Sequence, residues 1–133
     1  QTRVHMLLAV LERHLEIQLS NQDVYVNVVG GLDLEDPSSD LAVVAALLST
    51  EGRQELPPKC VFFGEVGLTG EVRATSFAEQ RLREAQKLGF KHVFLPASNQ
   101  KFLKSIVEDS PLKFHWIRNL REFPGILFSD KRK

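Results

Sequence analysis

The first 31 residues contain two different periodic patterns of apolar side chains. Apolar residues recur at helical spacing between Val4 and Leu15, which predicts an amphipathic helix over about residues 3–17. Residues 23–29 instead alternate between the two faces of an extended chain, as a strand in a sheet does. Two consecutive glycines at positions 30–31 end this pattern, so the sequence predicts a helix followed by a strand and a turn.

A second helix is predicted to begin at a proline. Pro37 suits the first helical position, where no backbone N–H is needed, and Asp36 before it can cap the helix. The apolar pattern then continues over about residues 37–50. Residues 60–63 form a short apolar run that predicts a strand. The glycines that follow predict tight turns or a hairpin: Gly64, Gly67 and Gly70.

The third helical pattern covers about residues 77–88. Ser76 is the expected cap, Leu88 is expected to face inward, and Gly89 supplies the stop signal. A short apolar run over residues 91–95 predicts the next strand. This order of elements places a helix between two strands.

The last part of the chain continues the alternation. Residues 98–107 predict a helix with Phe102 on its inner face, and residues 112–117 predict a further strand. A final short element is expected over residues 120–123, ending at Pro124. The fold class predicted from these elements is α/β or α+β.

Length and composition fit one domain over residues 1–133, since the chain has 133 residues, of which 43% are hydrophobic and 26% charged. The single cysteine, Cys60, cannot form an internal disulfide, which favours a reducing cytoplasm. The formal net charge is zero, but residues 1–66 hold 4 basic and 10 acidic side chains, whereas residues 67–133 hold 13 and 7. Such polarity suits head-to-tail packing of identical copies or an anionic ligand at the basic end, or is simply an uneven solvated surface.

Several motifs resemble one family of proteins in wording and order: Val26-Asn27-Val28-Val29-Gly30-Gly31, the run from Phe63 to Arg73, Glu79-Gln80-Arg81, and Lys87-Leu88-Gly89-Phe90-Lys91. They resemble the C-terminal domain of the RadA (Sms) family of bacterial DNA repair and recombination proteins. The resemblance implies a Lon peptidase-like domain with a fold like that of the second domain of ribosomal protein S5. The chain contains neither a Cys-x-x-Cys pattern nor a phosphate-binding loop, so ATP and zinc are expected only in other parts of a full-length relative.

Within this resemblance, Ser38 and Arg81 stand where a Lon-type peptidase carries its serine nucleophile and its lysine base. Arginine stays protonated and offers only hydrogen-bond donors, so it cannot activate a hydroxyl as a lysine does. Asp36 and Asp40 also replace glycines of the peptidase pattern. We therefore expect a non-catalytic domain, and the alternative is a working Ser-Lys-type peptidase that uses Ser38. The four histidines could in principle supply another base, but nothing in the sequence ties any of them to Ser38: His5, His14, His92 and His115.

Arg81 has two possible roles in a domain without catalysis. It could form a charge-assisted pair with the carboxylate of Asp40 or Glu79, or it could belong to a basic surface that binds DNA phosphates. The predicted DNA-binding set is Arg73, Arg81, Arg83, Lys87, Lys91, Lys101 and Lys104. The resemblance also implies assembly of identical copies into a ring, expected to be hexameric in a full-length relative.

Overall fold

A computed structural model describes residues 2–15 and 36–129, with side chains described from residue 6 onward in the first range. The first helix, α1, covers Thr2–Leu15 and confirms the first helical pattern. The strand predicted over residues 23–29 and the glycine turn after it lie outside the described residues, so both stay predictions.

The remaining elements alternate along the chain as the sequence predicts. The helices are α2 (Asp40–Gly52), α3 (Ala78–Lys87), α4 (Lys104–Asp109) and α5 (Phe123–Leu127). The strands are β1 (Cys60–Phe62), β2 (Glu65–Val66), β3 (Val72–Arg73), β4 (His92–Pro96) and β5 (Lys113–Ile117). Two 3-10 turns cover Pro37–Ser39 and Ala97–Phe102.

Three of these strands form a parallel sheet in the order β1-β4-β5, with Cys60 beside His92 and His92 beside Lys113. The two short strands β2 and β3 pair antiparallel, which confirms the hairpin predicted from the glycines. Gly70 in the hairpin turn has φ +85, a left-handed conformation that favours glycine. The sheet and the hairpin are the frame on which the candidate site is built.

Apolar side chains cover both faces of the parallel sheet. Phe94 of β4 packs into a core shared with α1, α2 and α5, whereas its neighbours Val93 and Leu95 pack into a second core with α3. All five residues of β4 are buried, as expected for a central strand covered on both sides. The structure therefore confirms a mixed α/β fold with a parallel sheet, while the more specific Lon-like fold stays a prediction.

The helix predicted after Ser76 is present as α3, but two details of its ends differ from the prediction. Phe77 has φ 61 and directly precedes the first helical residue, so Ser76 does not cap the helix. Leu88 follows the last helical turn and is 66% exposed, so it does not face the core. Gly89 ends the helix with φ +85, as predicted.

The C-terminal third contains the larger corrections. Instead of one helix over residues 98–107, a 3-10 turn and α4 meet at Leu103, whose φ of −122 breaks the helical path. Phe102 is consequently 72% exposed rather than buried. The last helix begins rather than ends near Pro124, because a proline in the first turn needs no N–H partner.

Candidate functional site

The turn that carries Ser38 is fixed by the residue before its proline. The side chain of Asp36 accepts a hydrogen bond from the Ser38 backbone N–H at 3.0 Å, and its carbonyl accepts one from the Ser39 N–H at 2.9 Å. Pro37 occupies the first position of the 3-10 turn, as the sequence predicts. Ser38 is buried, with 8% of its surface exposed, so the turn is a packed part of the fold.

Three hydrogen bonds join this turn to the segment between β1 and β2. The Gly64 N–H donates to the Ser38 carbonyl at 2.9 Å, and the Gly64 carbonyl accepts from the Leu41 N–H at 3.1 Å. The carboxylate of Asp40, which is only 1% exposed, accepts from the Val66 N–H at 2.9 Å. Asp40 thus acts as a buried anchor between the start of α2 and the hairpin.

Gly64 allows this close approach. A Cβ atom added to it would lie 3.2 Å from side-chain carbons of both Pro96 and Val72. Its φ of +154 is also one that side chains rarely adopt. The serine turn, β4 and β3 therefore converge on one glycine.

Arg81 lies on α3 and contacts the same segment at Phe63. Its Nε donates to the Ser76 carbonyl at 3.3 Å, and its guanidinium carbon lies 5.9 Å from the centre of the Phe63 ring. Phe63 immediately precedes Gly64, so the contact between Arg81 and the serine turn is indirect. Among the described contacts, no hydrogen bond joins Ser38 to Arg81.

The expected pairing of Arg81 with a carboxylate is wrong for both carboxylates named above. Asp40 is engaged by the Val66 N–H, and Glu79 pairs with Arg83 at 2.9 Å one helical turn away. Arg81 is held instead by a carbonyl and an aromatic ring. The sequence identified the right position but not its partners, because these lie outside the local helix.

Three of the four histidines have described side chains, and each of these lies elsewhere, while the side chain of His5 lies outside the described part of the structure. His14 contacts the Leu68 carbonyl at 3.4 Å, and His92 Nδ1 lies 3.0 Å from His115 Nε2 with the two rings stacked. Within the described contacts no histidine or lysine side chain reaches Ser38. Activation of the hydroxyl by a neighbouring base therefore has no support in the described geometry.

Two of the predicted DNA-binding arginines form ion pairs within the protein. Arg73 pairs with Glu71 at 2.9 Å and with Glu65 at 3.7 Å, and Arg83 pairs with Glu79. These pairs are exposed, so they contribute little to stability. They do reduce the net charge that the two arginines present to an anion.

The four predicted lysines are exposed, and none forms an ion pair within the described part of the chain: Lys87, Lys91, Lys101 and Lys104. Lys101 and Lys104 line one open hollow of about 390 Å³ together with Gln100. Lys87 lies in the last turn of α3, and Lys91 precedes β4. The structure thus distributes the predicted set over several elements, with only Lys101 and Lys104 sharing a described hollow.

Sequence reasoning missed two lysines that the sheet places beside Lys91. The Lys91 N–H donates to the Lys59 carbonyl at 2.8 Å, and the Lys113 N–H donates to the Lys91 carbonyl at 2.9 Å. We call these three residues the lysine row. A signal for it was present, because each strand of the parallel sheet begins at or directly after a lysine, and parallel strands begin at the same edge.

The hairpin contains a carboxyl group whose pKa lies well below its usual range. Hydrogen bonds from the Thr69 side chain, from the backbone and from Arg73 lower the pKa of Glu71 to about 2. The Arg73 Nε lies 3.0 Å from Glu71 Oε2. Glu71 is therefore ionised at neutral pH and orders the hairpin turn.

The described residues contain neither a candidate metal cluster nor a candidate membrane-spanning helix. Residues 2–15 and 36–129 contain no group of three His, Cys, Asp or Glu side chains placed to hold a metal ion. No helix in the same ranges is long and apolar enough to cross a bilayer.

Comparison with known proteins gives the family. Residues 1–99 match the family described as subunit ChlI of Mg-chelatase. The chain belongs to this family. It is also 50% identical over 97 residues to DNA repair protein RadA of Bacillus subtilis, 48% over 102 residues to that of Brucella abortus, and 39% over 126 residues to that of Aquifex aeolicus. The resemblance to RadA seen in the motifs is confirmed.

These matches cover most of this chain but only part of each relative. They include 73%, 77% and 95% of the chain, and 21%, 22% and 27% of the relatives from B. subtilis, B. abortus and A. aeolicus respectively. The chain therefore spans about a quarter of the length of the RadA proteins that it matches.

Proposed function

We propose that this chain is the Lon-like domain of a RadA-type DNA repair and recombination protein and acts as a non-catalytic scaffold that engages DNA. The observation that carries the proposal is the set of curated relatives named DNA repair protein RadA, at 39–50% identity. ATP hydrolysis, branch migration and zinc binding belong, in this proposal, to parts of a full-length protein outside this chain. The proposed site of action is a cytoplasm.

The contacts around Ser38 favour a scaffold over a peptidase. Its backbone N–H and carbonyl are both used to hold the turn, and Arg81 contributes hydrogen-bond donors rather than a base. The buried carboxylate of Asp40 would also oppose an oxyanion that developed nearby. A working Ser-Lys-type peptidase stays the second candidate because the serine itself is retained.

An acylating serine probe separates these two candidates. If the domain is a scaffold, intact-mass measurement should show no covalent adduct of the probe on the wild type or on the Ser38→Ala variant. An adduct that forms on the wild type and disappears in Ser38→Ala would overturn the scaffold and establish the peptidase.

DNA engagement is supported by the exposed lysines and by the basic excess of the second half of the sequence. Fluorescence anisotropy with a labelled single-stranded oligonucleotide, repeated at several salt concentrations, tests it directly. Binding is expected to weaken as salt rises. The Lys101→Glu, Lys104→Glu double variant is expected to bind less tightly than a matched Arg53→Glu, Arg121→Glu double variant, which changes two exposed basic residues elsewhere. Absence of any salt-dependent binding by the wild type would refute DNA engagement by this domain.

Ring assembly is the remaining part of the proposal, with a hexamer expected in full length. It is supported by the opposite charge of the two halves, 4 basic against 10 acidic side chains before residue 67 and 13 against 7 after it, because a repeated head-to-tail contact joins unlike surfaces. Light scattering of a full-length protein tests it. A monomeric mass that does not change with concentration would refute assembly.

A further inference from the structure

The lysine row lies where all three strands of the parallel sheet begin. Lys59 directly precedes β1, Lys91 directly precedes β4, and Lys113 is the first residue of β5. The hydrogen bonds between their backbones hold neighbouring members side by side. Because strands of a sheet lie about 4.8 Å apart, the row extends over roughly 10 Å.

All three side chains are exposed, and none forms an ion pair within the described part of the chain. Lys113 stands opposite His92 in the sheet register, so it shares a face with His92, whereas Lys91 is the residue before His92 and belongs to the other face. The lysines therefore approach the edge of the sheet from both faces. Three exposed lysines with adjoining backbones and no carboxylate partner in the described part of the chain favour an anionic ligand.

Lys59 provides an independent observation because its backbone has φ 54, in the left-handed region. That conformation costs energy for a residue with a side chain, and glycine would adopt it without strain. The carbonyl of Lys59 accepts from both the Lys91 and the His92 N–H groups, at 2.8 and 3.1 Å. A glycine could make these backbone bonds equally well, so they do not account for the lysine side chain.

We propose that the lysine row binds the sugar-phosphate backbone of a nucleic acid strand laid along this edge of the sheet. One strand of duplex DNA carries a phosphate about every 3.4 Å along its axis, so a row of roughly 10 Å faces about three phosphates. The proposal rests on the proposed function for its choice of a nucleic acid among polyanions. It adds Lys59 and Lys113 as binding residues and makes Lys91 the central one.

The test uses this chain, a labelled single-stranded oligonucleotide and a titration in salt. Replacing Lys59, Lys91 and Lys113 together with Gln is expected to lower the slope of log affinity against log salt by about 2, since each lost single-strand phosphate contact removes about 0.7. At 0.1 M salt this change corresponds to a loss of affinity on the order of 100-fold. The matched control replaces three exposed basic residues outside the predicted DNA-binding set with Gln, namely Arg13, Arg53 and Arg121, and is expected to lose much less.

A single substitution separates binding from folding. Lys59→Gly removes the charge and relieves the left-handed backbone, so we expect an unchanged or raised melting temperature together with weaker binding. Lys59→Arg retains the charge and is expected to bind like the wild type. Weaker binding together with a lower melting temperature for Lys59→Gly would show that the side chain is structural and would overturn its assignment.

The outcomes distinguish the lysine row from DNA engagement in general. If the wild type binds with a salt-dependent affinity and the triple lysine-row variant binds equally well, the row is refuted while DNA engagement stands. If the wild type binds no oligonucleotide, both fail. If a polyglutamate peptide displaces the oligonucleotide from the row at equal charge concentration, a general polyanion surface replaces the nucleic acid site.

Discussion

Asp40 offers the sharpest test of how the serine turn is built. Its carboxylate is 1% exposed and accepts the Val66 N–H at 2.9 Å, which ties the start of α2 to β2. The Asp40→Ala substitution removes the acceptor and leaves a buried N–H without this partner. We expect it to lower the free energy of unfolding by about 3 kcal/mol, near the upper end for hydrogen bonds to charged groups.

The matched variants divide this effect into its causes. Asp40→Asn keeps an oxygen that can accept the Val66 N–H but removes the charge, so a loss of about 1 kcal/mol is expected. Asp109 is exposed at the end of α4 and forms no ion pair among the described residues. Asp109→Ala is therefore expected to change the free energy of unfolding by no more than about 0.5 kcal/mol.

Urea unfolding followed by circular dichroism measures all three variants. For a chain of this length, 1 kcal/mol corresponds to about 4 °C in melting temperature, so Asp40→Ala should melt about 12 °C lower. If Asp40→Ala is no less stable than Asp109→Ala, the anchoring role of the carboxylate is refuted. If Asp40→Asn is as unstable as Asp40→Ala, the charge rather than the acceptor is what the fold requires.

Three further predictions concern Glu71 in the hairpin, Arg81 on α3, and the bend of the chain at Leu103. In the folded protein the pKa of Glu71 is about 2, below its ordinary value of 4.5. The ionised group therefore stabilises the fold above pH 4.5, and this contribution is lost as the pH falls through 2. Thr69→Ala should raise the pKa of Glu71 in an NMR titration, and an unchanged pKa would contradict the hydrogen bond from Thr69. Arg81→Lys should gain no label from an acylating serine probe by mass spectrometry, and labelling would show that one substitution restores the dyad. Leu103→Ala should lower the free energy of unfolding in urea by about 2–4 kcal/mol, because its side chain is only 3% exposed. Phe102→Ser should lower it by under about 0.5 kcal/mol, because Phe102 is 72% exposed. Equal losses of stability for the two variants would contradict the observed bend.

The sequence correctly predicted features that depend on residues within one helical turn of each other. Asp36 and Pro37 predicted the start of a helical segment, because a cap and a proline act within one turn. The pattern around Phe102 failed because helical periodicity cannot show that the chain bends at Leu103. A lysine at the start of each strand was visible in the sequence, but which strands are neighbours was not. The pairing of Lys59 with Lys91 therefore required the observed strand order.

For the candidate site, the sequence likewise predicted the positions of interest but not the residues that they contact. The motif identified Ser38 and Arg81 as the positions of interest, since both stand within short recognisable sequences. Two of their partners, Gly64 for the serine and Phe63 for the arginine, come from the segment between β1 and β2, which is distant from both in sequence. Sequence periodicity carries no information about such contacts, which is why the expected carboxylate partners of Arg81 were wrong.

The contacts of Asp40 also bear on whether substitutions at positions 40 and 81 could give the chain peptidase activity. In the proposed scaffold, a lysine at position 81 would regain a base, but Asp40 would still place a buried carboxylate beside the serine turn. Asp40 cannot simply revert to glycine, because its carboxylate carries the bond to the Val66 N–H and glycine is unfavourable in a helix. In the proposed scaffold, matching the peptidase pattern at positions 40 and 81 would therefore require two changes. The change at Asp40 would destabilise the fold, because it removes the acceptor of the Val66 N–H.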